Sequence, residues 1–109
     1  MSEMKIYKSK SIESGEKVTA YTEHFVLSRE IAEKVKDYNY CKILYGKING
    51  EAVVIFKFKK ERDDETLKLN RRGLQVRISA VGIIRDLELK YKKAKVIKWI
   101  RGDMLATIW

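Results

Sequence analysis

Basic and amide side chains gather in the stretch LKLNRRGLQVR, residues 67–77. Arginine can hold a phosphate through two parallel hydrogen bonds or read the edge of a guanine, and glutamine can pair with adenine. Gln75 and Arg77 are two residues apart in a strand-like run, so both are expected to point from one face of a sheet. The stretch therefore predicts a surface for double-stranded DNA, with these contact residues: Lys68, Arg71, Arg72, Gln75 and Arg77.

A second basic group follows this stretch, in a predicted helix and in the segment after it. Such side chains can bind phosphates, which positions a protein on DNA without reading the base sequence. The alternative for each lysine taken singly is a solvated surface residue. The predicted phosphate contacts are Arg85, Lys90, Lys92, Lys93 and Lys95.

The net charge favours a polyanionic partner because it is unevenly distributed. The chain of 109 residues has a formal charge of +9, and residues 66–109 alone contain eleven basic and three acidic side chains. Residues 1–16 balance three lysines with three glutamates. This asymmetry is typical of proteins that bind nucleic acid. A purely solubilising surface is the alternative.

The sequence lacks the residues that catalysis and metal binding usually need. The chain has one cysteine, Cys41, and one histidine, His24, so it can form neither an internal disulfide nor a zinc site of the Cys/His type. The acidic run DDE, residues 63–65, is expected to be solvated, and no glycine-rich phosphate loop is present. We therefore expect no enzymatic activity, no cofactor, no metal and no small-molecule substrate.

The composition indicates a single globular domain. Hydrophobic residues make up 45% of the chain and charged residues 36%, and a chain of this length can bury one core. No apolar run approaches the roughly 20 residues that span a bilayer, and residues 1–11 lack the apolar segment of a signal peptide. We expect a cytoplasmic protein without membrane contact. The Lys/Glu-rich, amide-poor composition favours a thermophilic source.

The second half of the chain has the periodicities of strands and then of a helix. Apolar residues alternate along 67–69 and 74–78, which predicts two half-buried strands with Gly73 in the turn between them. Ser79 is the expected helix N-cap, and the stripe Ala80, Ile83, Ile84 and Leu87 then predicts one helix. Two further strands are expected on either side of a turn at 101–103.

The first half repeats this order of elements. Short strands are expected within 17–21 and 24–27. Ser28 is the expected N-cap of a helix that has an apolar stripe of Ile31, Ala32, Val35 and Tyr38 on one face. Asn49–Gly50 lies between two apolar runs, which is the strongest short signal for a β-hairpin. FVLS at 25–28 matches VRIS at 76–79 with an offset of 51 residues, and INGEAV at 48–53 matches IRGDML at 100–105 with an offset of 52.

These observations predict a mainly β fold with two short helices. Each repeat is β-β-α-β-β, over residues 17–58 and 66–109, with a charged connector at 59–65 and an N-terminal arm at 1–16. The runs AVVIF and KVIKWI are apolar on nearly both faces, which predicts burial between layers. Because neither half could bury a stable core alone, we expect one small barrel around a pseudo-twofold axis.

The segment LKLNRRGLQVRISAVGIIRDLELKYKKAKVIKWIRGDMLATIW resembles the swapped-hairpin DNA-binding domain of the AbrB/SpoVT class, and FVLSREIAEKV resembles its strand-to-helix part, so the resemblance covers residues 17–109 as two copies. The resemblance implies a transcriptional regulator in which Gly73 is the loop glycine and basic residues of the first hairpin approach DNA. It also implies that this chain supplies, as a fused pseudo-dimer, the two copies that the family usually takes from two chains. Glu88 stands where the family has a glycine after the helix.

Two other functions and two assembly states stay open at this point. The aromatic residues could serve a protein-interaction or structural module, such as an assembly subunit or an antitoxin-like partner. Alternatively, Tyr91 within KYKKAK could stack on the bases of RNA or of a single strand. In solution we expect either a monomeric pseudo-dimer or a homodimer.

Overall fold

The computed structural model describes residues 15–109, which form a mainly β protein with two short helices and two antiparallel sheets. The predicted arm at 1–16 lies outside the described residues except for Gly15 and Glu16. The helices are α1 (Arg29–Lys34) and α2 (Val81–Asp86). The strands are β1 (Val18–Ala20), β2 (His24–Leu27), β3 (Tyr40–Ile48), β4 (Glu51–Lys59), β5 (Leu67–Lys68), β6 (Asn70–Arg72), β7 (Gln75–Ser79), β8 (Val96–Arg101) and β9 (Met104–Ile108).

The four-stranded sheet has the order β1-β2-β7-β6. Its centre is the pairing of β2 with β7, in which Phe25 lies opposite Ile78 and Leu27 opposite Val76. These four side chains are fully buried. Since neighbouring residues of a strand point to opposite sides, the intervening residues form the outer face of the sheet.

The five-stranded sheet has the order β5-β3-β4-β9-β8. Two long hairpins build it, β3 with β4 and β8 with β9, and they meet where β4 pairs with β9. Phe56 of β4 lies opposite Leu105 of β9, and both are buried. The sequence signal at Asn49–Gly50 is confirmed, because both residues have a positive φ, 53° and 84°, at the turn of the first hairpin.

Two chain segments run from one sheet to the other. Residues 67–72 contribute β5 to the five-stranded sheet and then β6 to the four-stranded sheet. On the opposite side, the amide of Ala20 donates to the carbonyl of Lys92 at 2.8 Å, and the amide of Ala94 donates to that of Val18 at 2.9 Å. The chain then continues from Ala94 into β8. Segments of the chain thus link the sheets at both edges.

A single hydrophobic core lies between the two sheets. Phe25 of the four-stranded sheet packs edge-to-face on Phe56 of the five-stranded sheet, with ring centroids 5.3 Å apart, and Trp109 lies 5.7 Å from Phe25. The helices add their predicted apolar stripes to this core: Ile31 and Ile84 are buried. The two outer faces therefore point away from each other.

The helix starts differ from the sequence expectation. Ser28 occupies the N-cap of α1, but its Oγ donates to the carbonyl of Gly15 and accepts from the amide of Lys17, both at 2.9 Å. The prediction of Ser79 as an N-cap is wrong, because Ser79 is the last residue of β7 and Ala80 is the N-cap of α2. The pairing of β7 with β2 extends as far as Ser79, which keeps it in the sheet.

The expectation that AVVIF is buried on both faces is wrong for the described chain. Val54 and Phe56 are buried in the core, whereas Val53 and Ile55 are only partly buried on the outer face. The same holds in β8, where Val96 is 46% exposed. Among the described residues, no helix has the length and apolar character needed to cross a membrane.

Candidate nucleic-acid interface

Three of the predicted DNA contacts share the outer face of the four-stranded sheet. Arg72 of β6 lies opposite Gln75 of β7, and Arg77 of β7 lies opposite Asn70 of β6. On its other side, Arg77 lies opposite Val26 of β2. Alternation along β6 and β7 therefore brings two guanidinium groups and an amide together on two adjacent strands.

A groove of about 460 Å³ crosses this face between β7 and the chain beyond β1. Gln75 and Arg77 line one end, and Tyr21 and Tyr91 line the other. The Arg77 Nε is buried and has no hydrogen-bond partner among the described residues. Burial of an unpaired polar group is costly, so Arg77 keeps an unsatisfied hydrogen-bond donor beside this groove.

The aromatic end of the groove combines Tyr91, which the sequence suggested for base stacking, with Tyr21 and His24, which the sequence did not suggest. Tyr21 and His24 have ring centroids 5.5 Å apart, and Tyr21 lies edge-on to Tyr91 at 6.5 Å. Tyr91 is 71% exposed and has a φ of 62°, a value that non-glycine residues seldom adopt. The sequence repeat, which predicts that the two halves pair with each other, could have indicated that Tyr21 and His24 lie near β7.

Arg71 is separated from the other arginines. It lies opposite Val76, so it points to the inner side of the sheet edge. Its Nη2 donates to the carbonyl of Tyr38 at 2.7 Å and to that of Val35 at 3.2 Å. These carbonyls lie at the C-terminal end of α1, where a cation is favourable. Arg71 therefore fastens β6 to α1.

Lys68 also lies apart from the convergent residues. It belongs to β5 and pairs with Tyr40 in the five-stranded sheet. Only two residues later, at Asn70, does the chain enter the four-stranded sheet. The structure thus brings Arg72, Gln75 and Arg77 together and does not bring Lys68 to them.

The predicted phosphate-binding lysines follow the opposite edge of the four-stranded sheet. Lys93 is bridged to Thr19 of β1, and Lys92 accepts a main-chain hydrogen bond from Ala20. Lys95 lies further along and forms an ion pair with Glu51 at 3.5 Å.

Arg85 and Lys90 line a neighbouring depression of about 340 Å³. Thr22 contributes to both this depression and the groove. Glu88, which also lines the depression, has a φ of 56° after α2, the conformation that favours a glycine there.

The remaining reactive groups are engaged elsewhere. Burial raises the pKa of the Cys41 thiol to about 12, which leaves it a packed side chain and not a nucleophile. Asp63 and Glu65 form ion pairs with Lys42 at 3.5 and 3.2 Å. Within residues 15–109, no three His, Cys, Asp or Glu side chains are grouped as a metal site would require.

No protein family, curated protein or solved structure matches this chain at a significant level. Function must therefore be argued from the chemistry of the site. In the described residues, the outer face of the four-stranded sheet brings arginine, glutamine and exposed tyrosine to one groove.

Proposed function

We propose that this protein binds double-stranded DNA through the outer face of its four-stranded sheet and acts as a non-enzymatic, AbrB-like transcriptional regulator. The convergence of Arg72, Gln75 and Arg77 on two adjacent strands carries the proposal. Guanidinium groups can bind phosphates or guanine, and the amide can pair with adenine. The same three side chains can therefore supply affinity and some base preference.

The dimensions of the sheet fit a duplex. The major groove of B-DNA is about 12 Å wide and admits a two-stranded ribbon, which β6 and β7 would form. Lys93 lies beyond β1, three strand spacings from β7. At about 4.8 Å per spacing this is roughly 14 Å. Lys92 and Lys93 can then reach a flanking phosphate while Arg72 and Arg77 enter the groove.

We further propose that the two halves are copies of one β-β-α-β-β unit around a pseudo-twofold axis, closed into a small barrel. The strand registers support this. Thr19 lies opposite Val26 as Asn70 lies opposite Arg77, which is the same pairing shifted by 51 residues. The central pairs of β2 and β7 follow the same shift. Phe25 corresponds to Val76 and Ile78 corresponds to Leu27, so the pair Phe25–Ile78 is equivalent to the pair Leu27–Val76.

The shift of 51 residues also explains why binding is assigned to the second copy. Tyr21 is the counterpart of Arg72, and Val26 is the counterpart of Arg77. His24 takes the place of Gln75. Half of the pseudo-symmetric face is therefore basic and the other half aromatic, so we expect the protein to contact an asymmetric DNA site.

The test is a titration of labelled duplex DNA at several salt concentrations. Each phosphate contact contributes about 0.9 to the slope of log K against log salt. Replacing both Arg72 and Arg77 by Ala should lower this slope by about 2 and weaken binding at all salt concentrations. The matched control is Arg62→Ala with Arg101→Ala, which removes the same charge outside this face and should keep the slope.

Two results would contradict the proposal. One is the absence of binding by the wild type at low salt. The other is an equal loss of slope in the Arg72/Arg77 variant and in the Arg62/Arg101 control, because this would make binding a matter of net charge alone.

A second candidate function, binding of single-stranded nucleic acid, is favoured by the exposed pair Tyr21 and Tyr91 at the end of the same groove. Stacking of one base on an aromatic ring contributes about 1–3 kcal/mol. Replacing both tyrosines by Leu should weaken single-strand binding about tenfold or more if bases stack there. An unchanged single-strand affinity would remove this candidate and leave duplex DNA.

A further inference from the structure

Three aromatic rings lie in a row across one end of the groove on the four-stranded sheet. The ring centroid of Tyr21 is 5.5 Å from that of His24 and 6.5 Å from that of Tyr91. The amide of Tyr21 donates to the carbonyl of His24 at 2.9 Å, which holds these two residues side by side at the turn between β1 and β2. All three residues line the groove, and we call Tyr91, Tyr21 and His24 the aromatic row.

Cationic side chains lie in the next row along the strands. Arg77 is opposite Val26, which is two residues from His24 on the same face of β2, so roughly 6.8 Å separates the two rows. At the other edge of the sheet, Lys93 is bridged to Thr19, and Thr19 is opposite Val26. Aromatic rings beside cations are the combination that binds single-stranded nucleic acid, because bases stack on the rings while a positive groove follows the backbone.

The lining of the groove favours a ligand that is aromatic and negatively charged. Among the described residues that line it, none is acidic, whereas Arg77 contributes a guanidinium group. This charge disfavours the cationic ligands that bind between aromatic rings through cation–π contacts. The groove volume of about 460 Å³ lies within the range of about 300–1,000 Å³ that is usual for small-molecule sites. A single nucleotide therefore fits the groove in size and in charge.

Paired bases cannot use the aromatic row. In a duplex the faces of each base are covered by its neighbours in the stack, so a protein reads only the base edges. An unpaired base exposes its face, which can then stack on an aromatic side chain. Gln75 and Arg77, which the proposed function assigns to duplex contact, line the same groove as the aromatic row. The groove therefore joins a surface for paired bases to a surface for an unpaired base.

We propose that the preferred ligand is a duplex that continues into a single strand, with the duplex on β6 and β7 and the first unpaired base on the aromatic row. This inference rests on the proposed function, because it takes duplex contact by Arg72 and Arg77 as given. His24 on β2 is two strand spacings from Arg72 on β6, which is roughly 10 Å. The major groove is about 12 Å wide, so the aromatic row lies where a strand that leaves the duplex would pass.

The test is a fluorescence-anisotropy titration of the full chain with a blunt duplex and with the same duplex carrying a short thymidine tail, either 5′ or 3′. The better tailed duplex should bind at least about fivefold more tightly than the blunt one, which is the lower bound for one base stacked on an aromatic ring. Replacing both Tyr21 and Tyr91 by Leu should abolish this gain and leave the affinity for the blunt duplex unchanged, because every charge is kept.

Two further variants identify the ring face as the source of the gain. Replacing both Tyr21 and Tyr91 by Phe should retain the gain, since the rings remain and only the hydroxyl groups are lost. Tyr45→Leu is the matched control, because Tyr45 is 48% exposed on β3 of the other sheet, and this variant should also retain the gain.

The two proposals fail in different ways. A blunt duplex that does not bind at low salt would contradict the proposed function and this inference together. If the blunt duplex binds, equal affinities for the blunt and both tailed duplexes would overturn this inference alone. A gain that survives the replacement of Tyr21 and Tyr91 by Leu would also overturn it, because the tail would then be bound through its charge and not by stacking.

Discussion

The two outer faces of this protein arise from the same alternation of side chains along strands, but they differ in character. On the four-stranded sheet the outward positions of β6 and β7 are Asn70, Arg72, Gln75 and Arg77. On the five-stranded sheet the outward positions of β4 include Val53 and Ile55. β7 and β4 both bury their other side in one core. The core therefore constrains the inward residues, and the outward residues can differ in character between the two sheets.

Two arginines of β6 have different surroundings. Arg71 and Arg72 are neighbours in sequence, yet they point to opposite sides of β6. Arg71 binds the carbonyls of Tyr38 and Val35, whereas Arg72 belongs to the groove-side face. A basic pair in a sequence is thus not a basic pair on a surface when it lies in a strand.

The largest loss of stability is expected from a substitution in the hydrophobic core between the two sheets. Phe56 is fully buried and packs against Phe25 from the opposite sheet. Phe56→Ala should lower the free energy of unfolding by about 3–5 kcal/mol, because it leaves a cavity between the sheets. Chemical denaturation followed by circular dichroism measures this. A loss below about 1 kcal/mol would mean that the two sheets do not depend on one core.

A smaller loss of stability should distinguish Arg71 from its neighbour Arg72. Arg71→Ala should lower the free energy of unfolding by about 1–2 kcal/mol, since it removes charge-assisted hydrogen bonds to the end of α1. Arg72→Ala should change it by less than about 0.5 kcal/mol, as is usual for an exposed site. Denaturation of both variants measures the difference. Equal losses would contradict the assignment of Arg71 as the structural member.

The smallest expected effect is a pH-dependent change in stability that comes from Asp63, which forms an ion pair with Lys42 of the five-stranded sheet. The pKa of Asp63 is lowered, chiefly by a hydrogen bond from the Glu65 amide and further by Lys42. A lowered folded pKa stabilises the protein above the ordinary value of 3.8, and this contribution is lost as the pH falls through the folded pKa.

The stability difference between wild type and Asp63→Asn should therefore be small at neutral pH and vanish in acid. Thermal midpoints recorded against pH measure it. A difference that persists well below the ordinary pKa would show that the carboxylate charge is not its source. Because Asp63 is exposed, the ion pair with Lys42 should also weaken in high salt.

Local patterns predicted much of the fold from the sequence. The turn at Asn49–Gly50 and the buried stripes of both helices are confirmed, because they depend on short-range geometry. The alternation of Gln75 and Arg77 on one strand face follows from the same short-range rule. These features required no knowledge of distant contacts.

What the sequence could not predict depends on long-range contacts. Arg71 meets carbonyls 33 and 36 residues away, so its neighbours did not show its role. Ser79 stays in β7 because β2 pairs with it, which overrides its preference for a cap. The apolar run of β4 predicted burial on both faces, but apolar residues alone do not show whether a second layer packs on a strand, and Val53 and Ile55 are only partly buried.

The most direct test of the central claim is to map the DNA contact by NMR, using labelled protein and a short duplex at moderate salt. We predict that amide signals of β6, β7 and residues 91–93 shift on titration, while those of Val53, Ile55 and Ala106 on the other sheet stay in place. Shifts confined to the five-stranded sheet, or spread evenly over all lysine-bearing surfaces, would contradict the assignment of DNA binding to the four-stranded face.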